Sequence, residues 1–281
     1  VEVIVTDHHN LIETLPNALA CVNPERVPHD HPLHNLVGVG AAYKLIEAVC
    51  RELGKPEIAE AQLDLVALGT VADVGVLAME NRYLVQRGLD VIRKGERVGL
   101  KTLLTVARAS IGAVNSETIG FTIAPRMNAL GRLSNANQMV ELMTTEKEGR
   151  AEQMAVFIDG LNTERKAVQN RIRTEAFELL EAHPHWADYN IIVLHKRDWE
   201  SGVVGIVANS IVERYGKPAI LLTGERPDGS CFGSARSLQG VPLIDIINAN
   251  KPLIEGAGHT MAAGAWLKIE DLEKARQALH E

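Results

Sequence analysis

The chain has 281 residues, 46% of them hydrophobic and 23% charged, with a formal net charge of −7. That length suits two modest domains, and no run approaches the roughly 18 apolar residues of a bilayer span, so a soluble, cytoplasmic protein without a membrane segment is expected. Cys21, Cys50 and Cys231 are far apart and form no C-x-x-C pair, which excludes a disulfide framework or zinc knuckle and reads as ordinary buried thiols.

In chain order, the β-branched run Val3, Ile4 and Val5 reads as a buried strand ending at Thr6. Such a strand needs neighbours on both sides, and the chain starts inside it without a lead-in. The expectation is therefore a piece of a longer protein. A polar turn follows, then a short strand near Leu19 to Val22 closed by Asn23-Pro24. Helical patterns come next at about Gly40 to Leu53, Ile58 to Val71, Asn81 to Lys94, Leu100 to Ala109 and Ile119 to Leu130. From about Thr145 to Ala182 there is no proline. Met154, Ile158, Leu161, Val168, Ile172, Ala176 and Leu179 recur there at helical spacing, with Arg165 on the same seam. This predicts one amphipathic helix of roughly 55 Å, with a pair of helices as the other reading. After His183-Pro184-His185 a second α/β pattern begins. Strands are expected at Asn190 to Leu194, Ala219 to Leu222 and Ser230 to Ser234, and helices at Val203 to Tyr215, Leu243 to Asn248 and Ile269 to His280.

Several constellations carry chemistry. Asp7, His8 and His9 follow the first strand at its carboxyl end, where open α/β sheets place ligands. A carboxylate beside two imidazoles suits Mn²⁺ or Mg²⁺ with phosphate, and equally suits a helix cap with two solvated histidines. In Gly69-Thr70-Val71-Ala72-Asp73-Val74-Gly75, Asp73 ends an apolar stretch as a turn residue or a ligand. Pro125-Arg126-Met127-Asn128-Ala129-Leu130-Gly131-Arg132 sets Arg126 and Arg132 near a helix end, apt for phosphate or simply solvated. Gly38-Val39-Gly40 reads as helix entry by tight packing. Gly233-Ser234-Ala235-Arg236-Ser237 and Gly256-Ala257-Gly258-His259-Thr260 surround one cationic or imidazole group with small residues, which lets backbone donors approach an anion.

Taken in order, these segments resemble the RecJ-type exonucleases of the DHH phosphoesterase family. Asp7-His8-His9 and Gly69 to Asp73 resemble the third and fourth motifs of that family, and Pro125 to Arg132 resembles a RecJ-type segment. Trp199 to Ala208, Gly233 to Ser237 and Gly256 to Gly264 look like a DHHA1 domain. The resemblance implies an α/β fold in which a DHH-type domain, with a partial parallel sheet plus helical lobe (1–144), is joined by a long helix (145–184) to a smaller α/β DHHA1 domain (185–281). By the same resemblance His8 and Asp73 are metal ligands, His9 contacts the scissile phosphate and Asp7 orients the site. Arg126, Arg132, Ser234, Arg236, Ser237, Gly258 and His259 then bind nucleic-acid phosphates. A pair of Mn²⁺ or Mg²⁺ ions is implied for the full-length protein. The family's earlier motifs, including an Asp-x-Asp, have no counterpart in this sequence, and the chain by itself is expected to be impaired.

The implied activity is a single-stranded-DNA-specific 5′ to 3′ exonuclease of DNA repair and recombination, with a repair helicase or a single-strand-binding protein as the kind of partner. The net charge speaks mildly against polyanion binding, but a local basic groove can offset it. Trp199, Tyr215 and Phe232 are the aromatics near the second group of motifs, too few for extensive base stacking, so recognition is expected to lean on phosphates. Two alternatives are a phosphodiesterase for short oligonucleotides or cyclic dinucleotides, and an inactive strand-binding fragment lacking the upstream ligands.

Overall fold

The β-branched amino terminus forms strand β1 (Ile4–Thr6), paired in parallel with β2 (Ala20–Val22), Ile4 opposite Ala20 and Thr6 opposite Val22. The structure, a computed structural model, describes residues 1–11 and 14–281. The chain divides into two compact units, Val1–Asn162 and Thr163–Glu281. All three cysteines are free, Cys50 and Cys231 buried as expected and Cys21 half-buried at β2. No helix among the described residues is long and apolar enough to cross a membrane.

In the first unit a helical lobe follows the two strands: α1 (Gly38–Glu52), α2 (Pro56–Glu60), α3 (Leu63–Ala72), α4 (Met79–Lys94), α5 (Val98–Val106), α6 (Ala124–Leu133) and α7 (Asn137–Thr144). The single helix expected from Ile58 to Val71 is broken at Ala61-Gln62 into α2 and α3. The reason is tertiary. Asp64, 3% exposed at its side chain, accepts from Arg97 Nε at 2.5 Å and Nη2 at 3.0 Å, while Arg97 Nη1 donates to the Met143 carbonyl at 2.7 Å. A buried carboxylate requires such a partner, and this one sets where α3 begins. The pattern from Ile119 to Leu130 likewise splits, into a π-helical turn at Thr118–Ile123 and α6. Pro125 has no N–H to bond back along the helix, which suits the irregular entry. Helix α7 has no strong sequence signal. It is started by Asn135 Oδ1 accepting from the Asn137 amide at 2.9 Å and is anchored by buried Leu142 and Met143. Leu68, Leu103, Leu104, Ile119, Ile123, Leu130, Leu142 and Ile158 fill the core, each stabilising by about 1.5–3 kcal/mol on burial.

The proline-free stretch is one helix, α8 (Glu148–Ala182), of 35 residues, roughly 52 Å long at the α-helical rise. Ala151, Met154, Ala155 and Ile158 are buried in its first half and Ile172, Ala176 and Leu180 in its second. Between them the buried seam holds Asn162 and Arg165, and the division into units falls at this polar stretch.

The second unit contains α9 (His185–Asp188), β3 (Ile192–His195), α10 (Ser201–Tyr215), β4 (Ala219–Thr223), β5 (Ser230–Arg236), α11 (Leu243–Ala249), β6 (Glu255–Gly258), β7 (Ala262–Lys268) and α12 (Leu272–Ala278). Its sheet runs β3-β4-β5-β7-β6. The β3–β4 pair is parallel, joined through α10, and the other pairs are antiparallel. Strands β6 and β7 were not among the expected elements, because glycine and alanine are poor strand formers and the pairing of β7 with β5 is non-local. One face carries Cys231, Ala235, Ala263, Ala265 and Leu267 into a core with Leu243, Ile247, Ala275 and Leu279. On the opposite face α10 packs against β4 and β5.

Candidate active site

Asp7 extends the β1–β2 ladder by one bond, its amide donating to Val22 O at 3.0 Å, and the chain then turns away. This turn is held from two sides. His9 Nδ1 lies 2.7 Å from Asp7 Oδ1, and Asn23 Nδ2 donates to His9 O at 2.9 Å. The hydrogen bond from His9 holds the Asp7 carboxyl below the ordinary carboxylate range, against a smaller opposing effect of desolvation. With Asp7 ionised, Nδ1 of His9 donates to it, which fixes the orientation of the ring.

His8 packs on the start of α1. A Cβ at Gly38 would stand 3.2 Å from His8 Cδ2, so the glycine gives the imidazole room to lie against the helix. Asp73 comes from another element, as the residue that ends α3, its amide donating to Gly69 O at 3.0 Å. The carbonyl end of a helix carries partial negative charge and favours a cation beside it. His8 Nε2 and Asp73 Oδ2 are 3.5 Å apart, with side chains 29% and 51% exposed.

That separation exceeds a normal hydrogen bond of about 2.7–3.2 Å. It is about half an ångström longer than the roughly 3 Å between neighbouring ligands of an octahedral ion bound at about 2.1 Å, a gap that two partly exposed side chains can close. Mixed imidazole and carboxylate donors also suit Mn²⁺ or Mg²⁺. The pair therefore fits a divalent ion, as part of a shell. Among the described residues no group of three or more histidines, cysteines and carboxylates converges as a metal site.

The two arginines of α6 differ. Arg126 is largely enclosed, its Nε and Nη2 donating to Asp159 Oδ1 at 2.9 and 2.8 Å and its Nη1 to Thr122 O at 2.7 Å. Arg132 is exposed near the end of the helix.

In the second unit the strand register gathers the remaining residues. Arg236 pairs with Ala262, Ser234 with Gly264, and the His259 amide donates to Ala262 O at 2.8 Å. Arg236, Ala262 and His259 thus lie in a row across one end of the sheet. A Cβ at Gly205 would stand 2.8 Å from Arg236 Nη2 and 3.1 Å from Ser234 Oγ, so α10 brings a glycine where these side chains pass. Gly258 has a φ of +146°, and a Cβ there would meet Ala262 O at 2.6 Å. Ser237 is buried, its hydroxyl donating to Val241 O at 3.0 Å and its amide to Met261 O at 3.0 Å.

Two contributors were not identified from sequence. Gly38 was read as helix entry alone and Gly205 was assigned nothing, though each sits beside a candidate side chain. The aromatic reading is corrected as well. Trp199 is 3% exposed and its Nε1 donates to Glu175 Oε2 at 2.7 Å, which removes it from any stacking surface.

Comparison with known proteins gives the family and the fold. A family model described as the DHHA1 domain matches residues 188–281. The chain is 40% identical over its full length to the single-stranded-DNA-specific exonuclease RecJ of Bacillus subtilis, covering 35% of that protein. It is 36% identical to RecJ of Escherichia coli, covering 52% of it. A crystal structure of exonuclease RecJ bound to manganese superposes with a TM-score of 0.80 at 32% identity, covering all of this chain and 68% of that one. RecJ from Thermus thermophilus in complex with Mn²⁺ gives a TM-score of 0.83 at 32% identity, over 99% of this chain and 40% of that one. The chain spans between about a third and a half of the length of these curated relatives.

Proposed function

The chain belongs to the RecJ family and carries its DHHA1 domain at residues 188–281, and from that membership we propose that it serves a single-stranded-DNA-specific exonuclease. This enzyme works from the 5′ end with Mn²⁺ or Mg²⁺, in DNA repair and recombination. One observation carries the reading: His8 and Asp73, from separate elements, meet at 3.5 Å beside the Asp7–His9 pair.

A bound divalent ion supplies Lewis acidity, lowering the pKa of water and offsetting charge on the phosphate. His8 and Asp73 would hold it. His9, aimed by Asp7, donates from Nδ1 to that carboxylate and, as the imidazolium, from Nε2–H to an oxygen of the scissile phosphate. In the second unit Arg236, Ser234, His259 and the Gly258 backbone receive strand phosphates, while Ser237 braces the turn behind them. Arg132 meets the backbone from α6. Arg126 does so by exchanging Asp159 for phosphate. Such contacts carry no base information, so digestion tolerates any sequence. A repair helicase or a single-strand-binding protein is the kind of partner that would supply or present the strand.

The test offers the full-length protein a 5′-phosphorylated, 3′-labelled strand with Mn²⁺, free or in a blunt duplex. Loss from the 5′ end of the free strand alone is expected, with His9→Ala slowing it at least about 100-fold. Equal digestion of both forms, or none, overturns the reading. A second reading, strand binding without turnover, draws on the absence of a convergent group of three metal ligands among the described residues. It predicts retention of the free strand at every Mn²⁺ concentration with no shortening.

A further inference from the structure

Beyond the phosphate-binding end, the same face of the second unit's sheet presents aromatic side chains. Strand β7 alternates regularly, with Ala263, Ala265 and Leu267 turned into the core and Ala262, Gly264, Trp266 and Lys268 on the opposite face. Trp266 is 40% exposed, although β7 lies between β5 and β6. The chain's other two tryptophans are committed elsewhere. Trp199 is buried against Glu175, and Trp186 lies under the Arg276 guanidinium at 3.9 Å. Directly across from Trp266 is Phe232, which shares its face and carries the Arg226 guanidinium at 5.0 Å from the ring centroid. Between the aromatic pair and the Arg236–Ala262–His259 row lies the Ser234–Gly264 pair. A Cβ at Gly264 would have no atom nearer than 3.8 Å, so the floor there is open.

Resting on the function proposed above, we infer that Trp266 with Phe232 is a base-stacking platform for the strand whose phosphates lie at Arg236 and His259. From Ala262 to Trp266 is four residues, about 13 Å along an extended strand, a distance a short stretch of unpaired strand spans. The glycine floor lets the sugar-phosphate chain pass close to the sheet, and the flat indole gives an unpaired base a surface regardless of its identity. Charge on this face suits a polyanion. Arg226, Lys268 and Arg236 line it, and its acidic neighbours include Glu255, opposite Trp266 on β6, Asp228, which accepts from Ser230 at the turn before β5, and Glu225, which pairs with Arg197 at 3.6 Å. A chain of net charge −7 thus turns basic groups and its most exposed indole to one surface.

The test titrates the 281-residue chain with 5′-phosphorylated oligothymidylate in EDTA, so that nothing is cleaved. Tryptophan emission and the anisotropy of labelled oligonucleotide are read together. Stacking on Trp266 predicts quenched emission on binding. Trp266→Ala abolishes the quenching and weakens binding about tenfold, the effect of one lost stacked base, whereas Trp266→Phe keeps affinity within about threefold of the unsubstituted chain. Arg236→Ala tests the phosphate reading separately by weakening binding with Trp266 intact. Unchanged affinity and quenching in Trp266→Ala overturn the platform and leave the phosphate reading standing. A dimer that Trp266→Ala dissociates without altering oligonucleotide affinity also overturns it, since a second copy would then be the occupant. If the unsubstituted chain binds no oligonucleotide, the platform and the function it rests on fall together.

Discussion

The imidazole of His8 rests on Gly38 so closely that a Cβ at that position would stand 3.2 Å from its Cδ2. Gly38→Ala should therefore move two properties in opposite directions. Replacing glycine at a helix start favours the helix by up to about 1 kcal/mol, while the methyl group pushes the ring from its place near Asp73. Thermal unfolding is expected unchanged or slightly raised, with Mn²⁺ affinity lowered several-fold. Equal loss of both would mean that Gly38 serves the fold alone.

Gly205 stands in the same relation to the phosphate side. A Cβ there meets the far end of the Arg236 side chain at 2.8 Å, a group that can swing aside at small cost to the fold. Gly205→Ala is expected to preserve stability to within about 1 kcal/mol while weakening binding of a 5′-phosphorylated oligonucleotide. Binding at the unsubstituted level, by anisotropy, would show that the placement of Arg236 does not matter.

The Asp64–Arg97 pair should dominate the first unit's response to mutation. Removing one partner leaves the other charge buried, so Arg97→Met is expected to cost about 3–5 kcal/mol in urea unfolding. Replacing both partners with apolar residues of similar volume should recover much of that loss. A cost under about 1 kcal/mol for the single change would mean that water reaches Asp64.

Glu175 gives the second unit a pH dependence. It accepts from Trp199 Nε1 at 2.7 Å, Lys196 at 2.9 Å and Arg171 at 3.3 Å. Burial pushes its pKa up, but these donors outweigh that and hold the carboxyl below its ordinary value of 4.5. Folded Glu175 binds its proton more weakly than unfolded Glu175. Its contribution is therefore complete above the ordinary value and is lost as pH falls through the lowered folded one. Glu175→Gln is expected to cost about 1–2 kcal/mol at pH 7, with the difference from the unsubstituted chain shrinking as pH drops below 4.5. Unfolding curves followed by emission of buried Trp199 check this. A difference that persists at acid pH would point to packing instead.

Local pattern carried much of the architecture. The spacing from Met154 to Leu179 announced α8, and the β-branched runs announced β1, β3 and β4. What escaped was decided by distant partners. Asp64 breaks a continuous apolar pattern because Arg97 reaches it, and β7 becomes a strand because β5 offers it a register, which it passes on to β6. The site was legible in its residue types, since Asp7, His8, His9 and Asp73 are chemically conspicuous. Their convergence was implied by family resemblance alone. Nothing local told a buried Trp199 from an exposed Trp266, or announced that Arg126 is held by Asp159.

The central claim is that His8 and Asp73 share one divalent ion, and the most direct measurement is a Mn²⁺ titration of the protein and three variants, with free ion followed by electron paramagnetic resonance. His8→Ala and Asp73→Ala are each expected to abolish the same tight site, and the double variant to bind no worse than either single one, because partners on one ion are not additive. Full Mn²⁺ affinity in either single variant, or strictly additive losses in the double, would contradict the account.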